Sequence, residues 1–89
     1  MTRAEILSKA KEIVCKDRND QYGEPEDNFA QIASYWSVYL GREICAQDVA
    51  VMMCLLKIAR MQGGYKEDSY TDAIGYLACG AEIAERGGN

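Results

Sequence analysis

The sequence predicts an all-α protein, a small four-helix domain that associates into a helical oligomer. Apolar residues recur at three- and four-residue spacing through four separate segments. Capping patterns or a proline stand at the head of those segments, and glycines follow them. No segment alternates with the two-residue period of a strand, so the 89 residues read as a single helical domain, 1–89, with helices over about 3–16, 25–40, 46–61 and 70–85.

Each helix has its own warrant. Thr2 and Glu5 form a capping-box pattern ahead of Ile6, Leu7, Ala10, Ile13 and Val14. The second helix starts near Pro25, a favoured first-turn residue, with Glu24, Glu26 and Asp27 suiting the dipole. It carries Phe29, Ile32, Ala33, Trp36 and Leu40 on one face and stops at Gly41. The third, from about Cys45 to Met61, is apolar all round from Val49 to Leu56, which marks a central helix, and Gly63-Gly64 ends it. The fourth is expected to start at Ser69, with Asp72 as its capping partner, and to fray near Glu85.

Two helices carry more apolar surface than one core needs. On the fourth, Tyr70, Ile74, Leu77 and Ala81 form one stripe, while Tyr76, Cys79 and Ile83 continue Asp72 on the other side. On the third, Val51, Leu55, Ile58 and Ala59 oppose Ala50, Met53, Lys57 and Arg60. The second stripe needs a partner chain or a ligand, and Gly75 and Gly80 would suit close packing of another backbone. A homo-oligomer is the expectation, which also fits a short chain whose core is marginal.

Composition excludes several classes. With no His and no C-x-x-C spacing among Cys15, Cys45, Cys54 and Cys79, a tetrahedral zinc site has no support, and the thiols read as reduced. No apolar run reaches a membrane span and the N-terminus has no signal core, so a cytoplasmic location is expected. A net charge of −4 argues against a duplex nucleic-acid surface but leaves room for a local pocket holding a small anion. Gly-rich phosphate loops, nucleophile elbows and Cys/His pairs are absent from the sequence.

The candidate chemistry sits at the turn between helices three and four. Lys57 and Arg60, three residues apart, emerge together from an apolar run, and Asp68, Asp72 and Tyr76 follow. They read either as snorkelling cations at a helix C-terminus or as a phosphate clamp, Arg60 bidentate and Lys57 a point charge. Asp72 reads as a cap, a partner for Arg60 or an Mg²⁺ ligand; Asp68 reads as solvated. A second candidate is the segment Arg18 to Asn28, an acidic interhelical loop whose Arg18, Tyr22 and Asn28 have the hydrogen-bonding and stacking groups to read a base or ribose.

Within these residues lies a resemblance. The runs Tyr22-Gly23-Glu24-Pro25-Glu26-Asp27-Asn28-Phe29, Asp48-Val49-Ala50, Lys57-Ile58-Ala59-Arg60 and Asp68-Ser69-Tyr70-Thr71-Asp72-Ala73-Ile74-Gly75-Tyr76 resemble a family of small phage and prophage proteins of unknown function, over about residues 14–84. The second half is similar, more weakly, to all-α, MazG-like nucleoside triphosphate pyrophosphohydrolases and to nucleotide-modification-associated phage domains. That likeness implies a dimer or tetramer binding nucleotides through Mg²⁺ held by E-x-x-E and E-x-x-D pairs. The chain departs from it: after Asp48 the third helix has no acidic residue, and Glu82-Ile83-Ala84-Glu85 is the E-x-x-E of the last helix. Glu26, Asp27 and Asp72 remain as metal candidates.

The preferred expectation is therefore a phage-type protein that binds a nucleotide or nucleotide-derived signal without turnover, using Arg18, Tyr22, Asn28, Lys57, Arg60, Asp72 and Tyr76. Sequestration of a host defence signal, in the host cytoplasm, is the biological use that the phage resemblance implies. The first alternative is an Mg²⁺-dependent pyrophosphohydrolase, and the second a structural or regulatory oligomer whose charges tie helices together.

Overall fold

The computed structural model describes residues 1–87, with the side chain of Arg18 outside the description. Thr2 caps helix α1 (Arg3–Glu12): its N–H donates to Glu5 Oε1 at 2.9 Å, and the Glu5 N–H donates to Thr2 Oγ1 at 3.2 Å. The rod does not stop near residue 16 as expected. It widens into a π-helical turn, Ile13–Asp17, and continues as α2 (Arg18–Tyr22), so that of the expected loop Arg18 to Asn28 only Gly23 and Glu24 lie outside a helix. The chain is released at Gly23, whose φ of 84° lies in the left-handed region that glycine tolerates. Helix α3 (Pro25–Leu40) then starts at the proline, and it ends in a Schellman turn at Gly41, where the Arg42 N–H donates to the Ser37 carbonyl at 3.1 Å.

Helix α4 (Ala46–Arg60) follows, then a single 3₁₀ turn, Met61–Gly63, and helix α5 (Glu67–Glu85). The Cys45 N–H donates to Asp48 Oδ2 at 3.0 Å. This bond holds the Asp48 carboxyl below its usual range, as the Thr2 N–H does for Glu5. Both contributions are complete above the ordinary carboxylate pKa and are lost as pH falls through the lowered folded values. Ser37 fixes the α3–α4 loop, its hydroxyl donating to the Ala33 carbonyl at 2.7 Å while accepting the Ile44 N–H at 2.8 Å.

The expected Ser69–Asp72 cap is not formed. Helix α5 begins at Glu67, one turn earlier than Ser69 would start it, because Glu67 and Asp68 favour its positive end. Ser69 is instead buried inside the first turn, and Asp72 is committed elsewhere.

Helices α4 and α5 form an antiparallel hairpin, with α3 laid across α4 and α1 against α5. The core between them is built from small residues: Ala33, Ala46, Ala50, Cys54, Ala73 and Cys79, with Phe29, Val49, Tyr76 and Ile83 as its large members. The stripe Tyr76–Cys79–Ile83 is thus the one that faces the core, while Tyr70 and Leu77 face out. All four cysteines are free thiols. Among the described residues no helix is long and apolar enough to cross a membrane.

The helical glycines serve contacts within the chain. A Cβ on Gly80 would stand 2.9 Å from Ala50 Cβ, which is fixed to the α4 backbone, whereas a Cβ on Gly75 would meet Val14 at 3.4 Å. Alanine at either site gains about 1 kcal/mol of helix propensity. At Gly80 overpacking costs about 1–3 kcal/mol. Chemical denaturation should therefore rank Gly75→Ala at or above wild type and Gly80→Ala below it; the same response at both sites would refute the backbone contact.

Candidate functional site

The end of the α4–α5 hairpin carries an open depression of about 580 Å³, lined by Lys57, Arg60, Lys66, Glu67, Asp68, Ser69 and Asp72. Its position follows from helix phase. Lys57 lies two turns after Ala50 on the face of α4 that packs on α5, and Asp72 lies one turn before Tyr76 on the core face of α5. They meet across the hairpin, Lys57 Nζ to Asp72 Oδ2 at 3.0 Å, with side chains only 14 % and 18 % exposed. Asp72 therefore neither caps α5 nor pairs with Arg60.

Around that pair the charges are unevenly committed. Glu67 is held by Lys9 of α1 at 2.9 Å, a bond that lifts the Lys9 ammonium above its ordinary value, mainly through the hydrogen bond itself and then through the charge of Glu67. Asp68 is exposed, as expected. Among the described residues Arg60 and Lys66 make no ion pair or side-chain hydrogen bond, and Lys66, the N-cap of α5, gives that helix no side-chain cap. Two uncommitted cations thus stand beside the positive end of a 19-residue helix.

A second recess of about 210 Å³ is lined by Tyr22, Asn28, Phe29, Ile32, Met53 and Tyr76. It continues the first along the same groove, since Met53 lies four residues from Lys57 on α4 and Tyr76 four residues from Asp72 on α5, about 6 Å along each axis. Tyr76 is buried and its ring stands 6.1 Å from that of Phe29; Tyr22 is half-exposed at the mouth. The structure thus brings Tyr22, Asn28 and Tyr76 together in one recess, and Lys57, Arg60 and Asp72 in the next. Arg18 lies on α2, and its side chain is outside the described residues.

The metal candidates do not converge. Glu26 pairs with Arg86 at 2.9 Å, at the far end of α5, about 21 Å along the axis from Asp72. Asp27 is exposed in the first turn of α3, and Asp72 is taken by Lys57. No group of three or more His, Cys, Asp or Glu side chains among the described residues is placed to hold a metal ion. The sequence reading missed Lys66, Glu67, Ser69, Ile32 and Met53. Placing the α5 start at the Glu67-Asp68 pair would have brought Lys66 and Glu67 to the site.

What the fold and the groove define is a small all-α protein with a mixed-charge depression at a helical hairpin's end, backed by an aromatic recess. Within that class, the chain belongs to the family described as a domain of unknown function, DUF6378, whose model matches residues 5–84. It is similar to the Gene 55 protein of Mycobacterium phage D29, 47 % identical over 81 residues, covering 90 % of this chain and 54 % of that protein. The Gene 55 protein of Mycobacterium phage L5 is 47 % identical over 73 residues, covering 80 % of this chain and 47 % of that protein. The chain therefore spans about half the length of these relatives. No solved structure matches it. The expected kinship with phage proteins of unknown function is found.

The Lys57–Asp72 pair is more enclosed than a surface ion pair and less than a core one. A double-mutant cycle with Lys57→Met and Asp72→Leu should give a coupling of about 1–2 kcal/mol, between the ~0.5 kcal/mol of exposed pairs and the 3–5 kcal/mol lost when a buried pair is broken. Coupling near zero would show that the two charges do not hold the hairpin end together.

Proposed function

We propose that this protein binds a small phosphate-bearing ligand, a nucleotide or nucleotide-derived signal, without turning it over. One observation carries the reading: Arg60 and Lys66 are uncommitted cations at an uncapped helix N-terminus, about two to three helical turns along a groove from the recess of Tyr22, Asn28, Phe29 and Tyr76, with the Lys57–Asp72 pair between. A planar guanidinium, an ammonium and free helix N–H groups suit phosphate oxygens. The aromatic recess suits the flat, apolar face of a base.

Binding rather than hydrolysis is favoured by the carboxylates. Pyrophosphate release through Mg²⁺ needs several of them close together, and here Asp72 is neutralised by Lys57, Glu67 by Lys9 and Glu26 by Arg86. Sequestration of a host signal is the use that kinship with phage proteins suggests. The Lys57–Asp72 pair also favours a second reading, in which these charges only tie helices together in a structural or regulatory oligomer.

The pair adds a sharper expectation. Asp72 is an internal anion sitting on Lys57, so an incoming phosphate competes with it. In a titration of nucleoside mono-, di- and triphosphates in EDTA, Arg60→Ala should weaken binding by about 2 kcal/mol, roughly thirtyfold. Asp72→Asn should tighten it several-fold by releasing Lys57. Unchanged affinity in Arg60→Ala would return these residues to the structural reading. Steady Mg²⁺-dependent pyrophosphate release by wild type, lost in Asp72→Asn, would overturn binding in favour of hydrolysis.

A further inference from the structure

The hairpin has a second face that neither the core nor the groove uses. Val51, Leu55 and Ile58 of α4 recur at four- and three-residue spacing and lie within about 60° of one another around that helix. Tyr70, Leu77, Ala81 and Ala84 of α5 fall within a similar arc. The α4 residues turned toward α5 are Ala50, Cys54 and Lys57, and those of α5 turned toward α4 are Tyr76, Gly80 and Asp72. Helix α3 covers the hairpin on the side of Met53 and Tyr76, which its Phe29 and Ile32 meet. Stepping around each helix from the shared contact in the direction away from α3, one reaches Val51, Leu55 and Ile58 on α4 and Leu77 and Tyr70 on α5. The two stripes therefore lie on one side of the hairpin and form a continuous platform, opposite α3.

That platform is apolar and open. Its five large side chains are 44–56 % exposed, and no charged residue falls among them on either helix. The Tyr65 ring, 5.8 Å from that of Tyr70, extends the platform at one end. The five alone present roughly 400 Å² of apolar surface, in the range where the largest patch of a monomer is functional. With the exposed alanines and Tyr65, two such faces bury on the order of 1,000 Å² together, the threshold for specific association.

We propose that the occupant is a second copy of this chain, placed hairpin against hairpin as a four-helix bundle about a two-fold axis. A flat two-helix platform with no charge is self-complementary, because any residue of it meets only apolar residues of its copy. The need is also internal. Among the described residues fifteen large hydrophobic side chains are exposed, against four that are buried in the core; a second copy on this platform covers five of the fifteen, and Tyr65 beside them, which a small polar partner does not. The arrangement leaves the groove open, since Lys57, Arg60 and the aromatic recess lie on the α3 side.

Sedimentation equilibrium of the 89-residue chain at micromolar concentration should give twice its 9.9 kDa mass. Leu55→Glu and Leu55→Lys should each sediment as monomers with the helical circular dichroism of wild type, since Leu55 is solvent-facing in the single chain. Mixed together, the two should restore the dimer mass through Glu–Lys pairing across the axis. A wild-type monomer, or a dimer that survives both single substitutions, would overturn the proposal. A variant that loses its helical spectrum is replaced by Leu77→Glu and Leu77→Lys, which sit on the same platform and must pass the same mixing test.

Discussion

The contact on which the rest of this structure depends is the close approach of α4 and α5 at Ala50 and Gly80. With only 2.9 Å between Ala50 Cβ and where a Gly80 Cβ would stand, the two helices touch almost backbone to backbone. Space between them admits Ala, Cys and Gly but few larger residues, which is why the buried set is dominated by alanines and cysteines. Tight small-residue packing gains dispersion contacts but removes little apolar area per residue from water. The large side chains are displaced to the outside of the hairpin, and a chain this short then holds less core than its 48 % hydrophobic composition would permit.

The same approach determines the electrostatics at the hairpin end. Because the helices lie so close, side chains on the facing arcs two turns from Ala50 and Gly80 must meet, and at that distance the residues are Lys57 and Asp72. An apolar pair there would lengthen the core. An ion pair instead closes the end while leaving it polar, and the chain then turns through a single 3₁₀ turn and Gly64 into α5. Arg60 and Lys66, one on each side of that turn, are too far round their helices to join the pair. Their charge is left at the rim by geometry, uncompensated by any ion pair among the described residues.

Much of the fold was legible in the sequence because the signals were local. The Thr2–Glu5 box, Pro25, Gly41 and the apolar run of α4 each act within one turn, and each stands where expected. What was not legible depended on tertiary packing. The π-helical turn at Ile13–Asp17 carries the first helix past its expected end near residue 16 and into α2, with Val14 beside Gly75 of α5. No propensity encodes that insertion. The start of α5 was misplaced because Ser69 is a strong cap in isolation, yet the acidic pair before it, with Lys9 bound to Glu67, favours an earlier first turn. Of the site, the gathering of Lys57, Arg60 and Asp72 at one end of the hairpin followed from their spacing about the turn, whereas the pairing of Asp72 with Lys57 instead of Arg60 did not. The choice between two apolar stripes on α5 did not, since Tyr76–Cys79–Ile83 and Tyr70–Ile74–Leu77 are equally periodic; the glycine at position 80, which lies on the arc of the first, is the feature that decides it.

Gly80 therefore separates two roles that a plain amphipathic hairpin would confuse. By drawing α4 against one arc of α5 it turns Asp72 and Tyr76 inward, toward α3 and the groove, and turns Tyr70 and Leu77 outward, away from it. The polar depression and the apolar platform lie on opposite sides of the same two helices as a result. Substitutions on one side reach the other only through the hairpin contact, whose small residues have no rotamers with which to yield. A rigid seam of this kind would keep any event on one face energetically separate from the other, because neither could be relayed through a contact that has one arrangement.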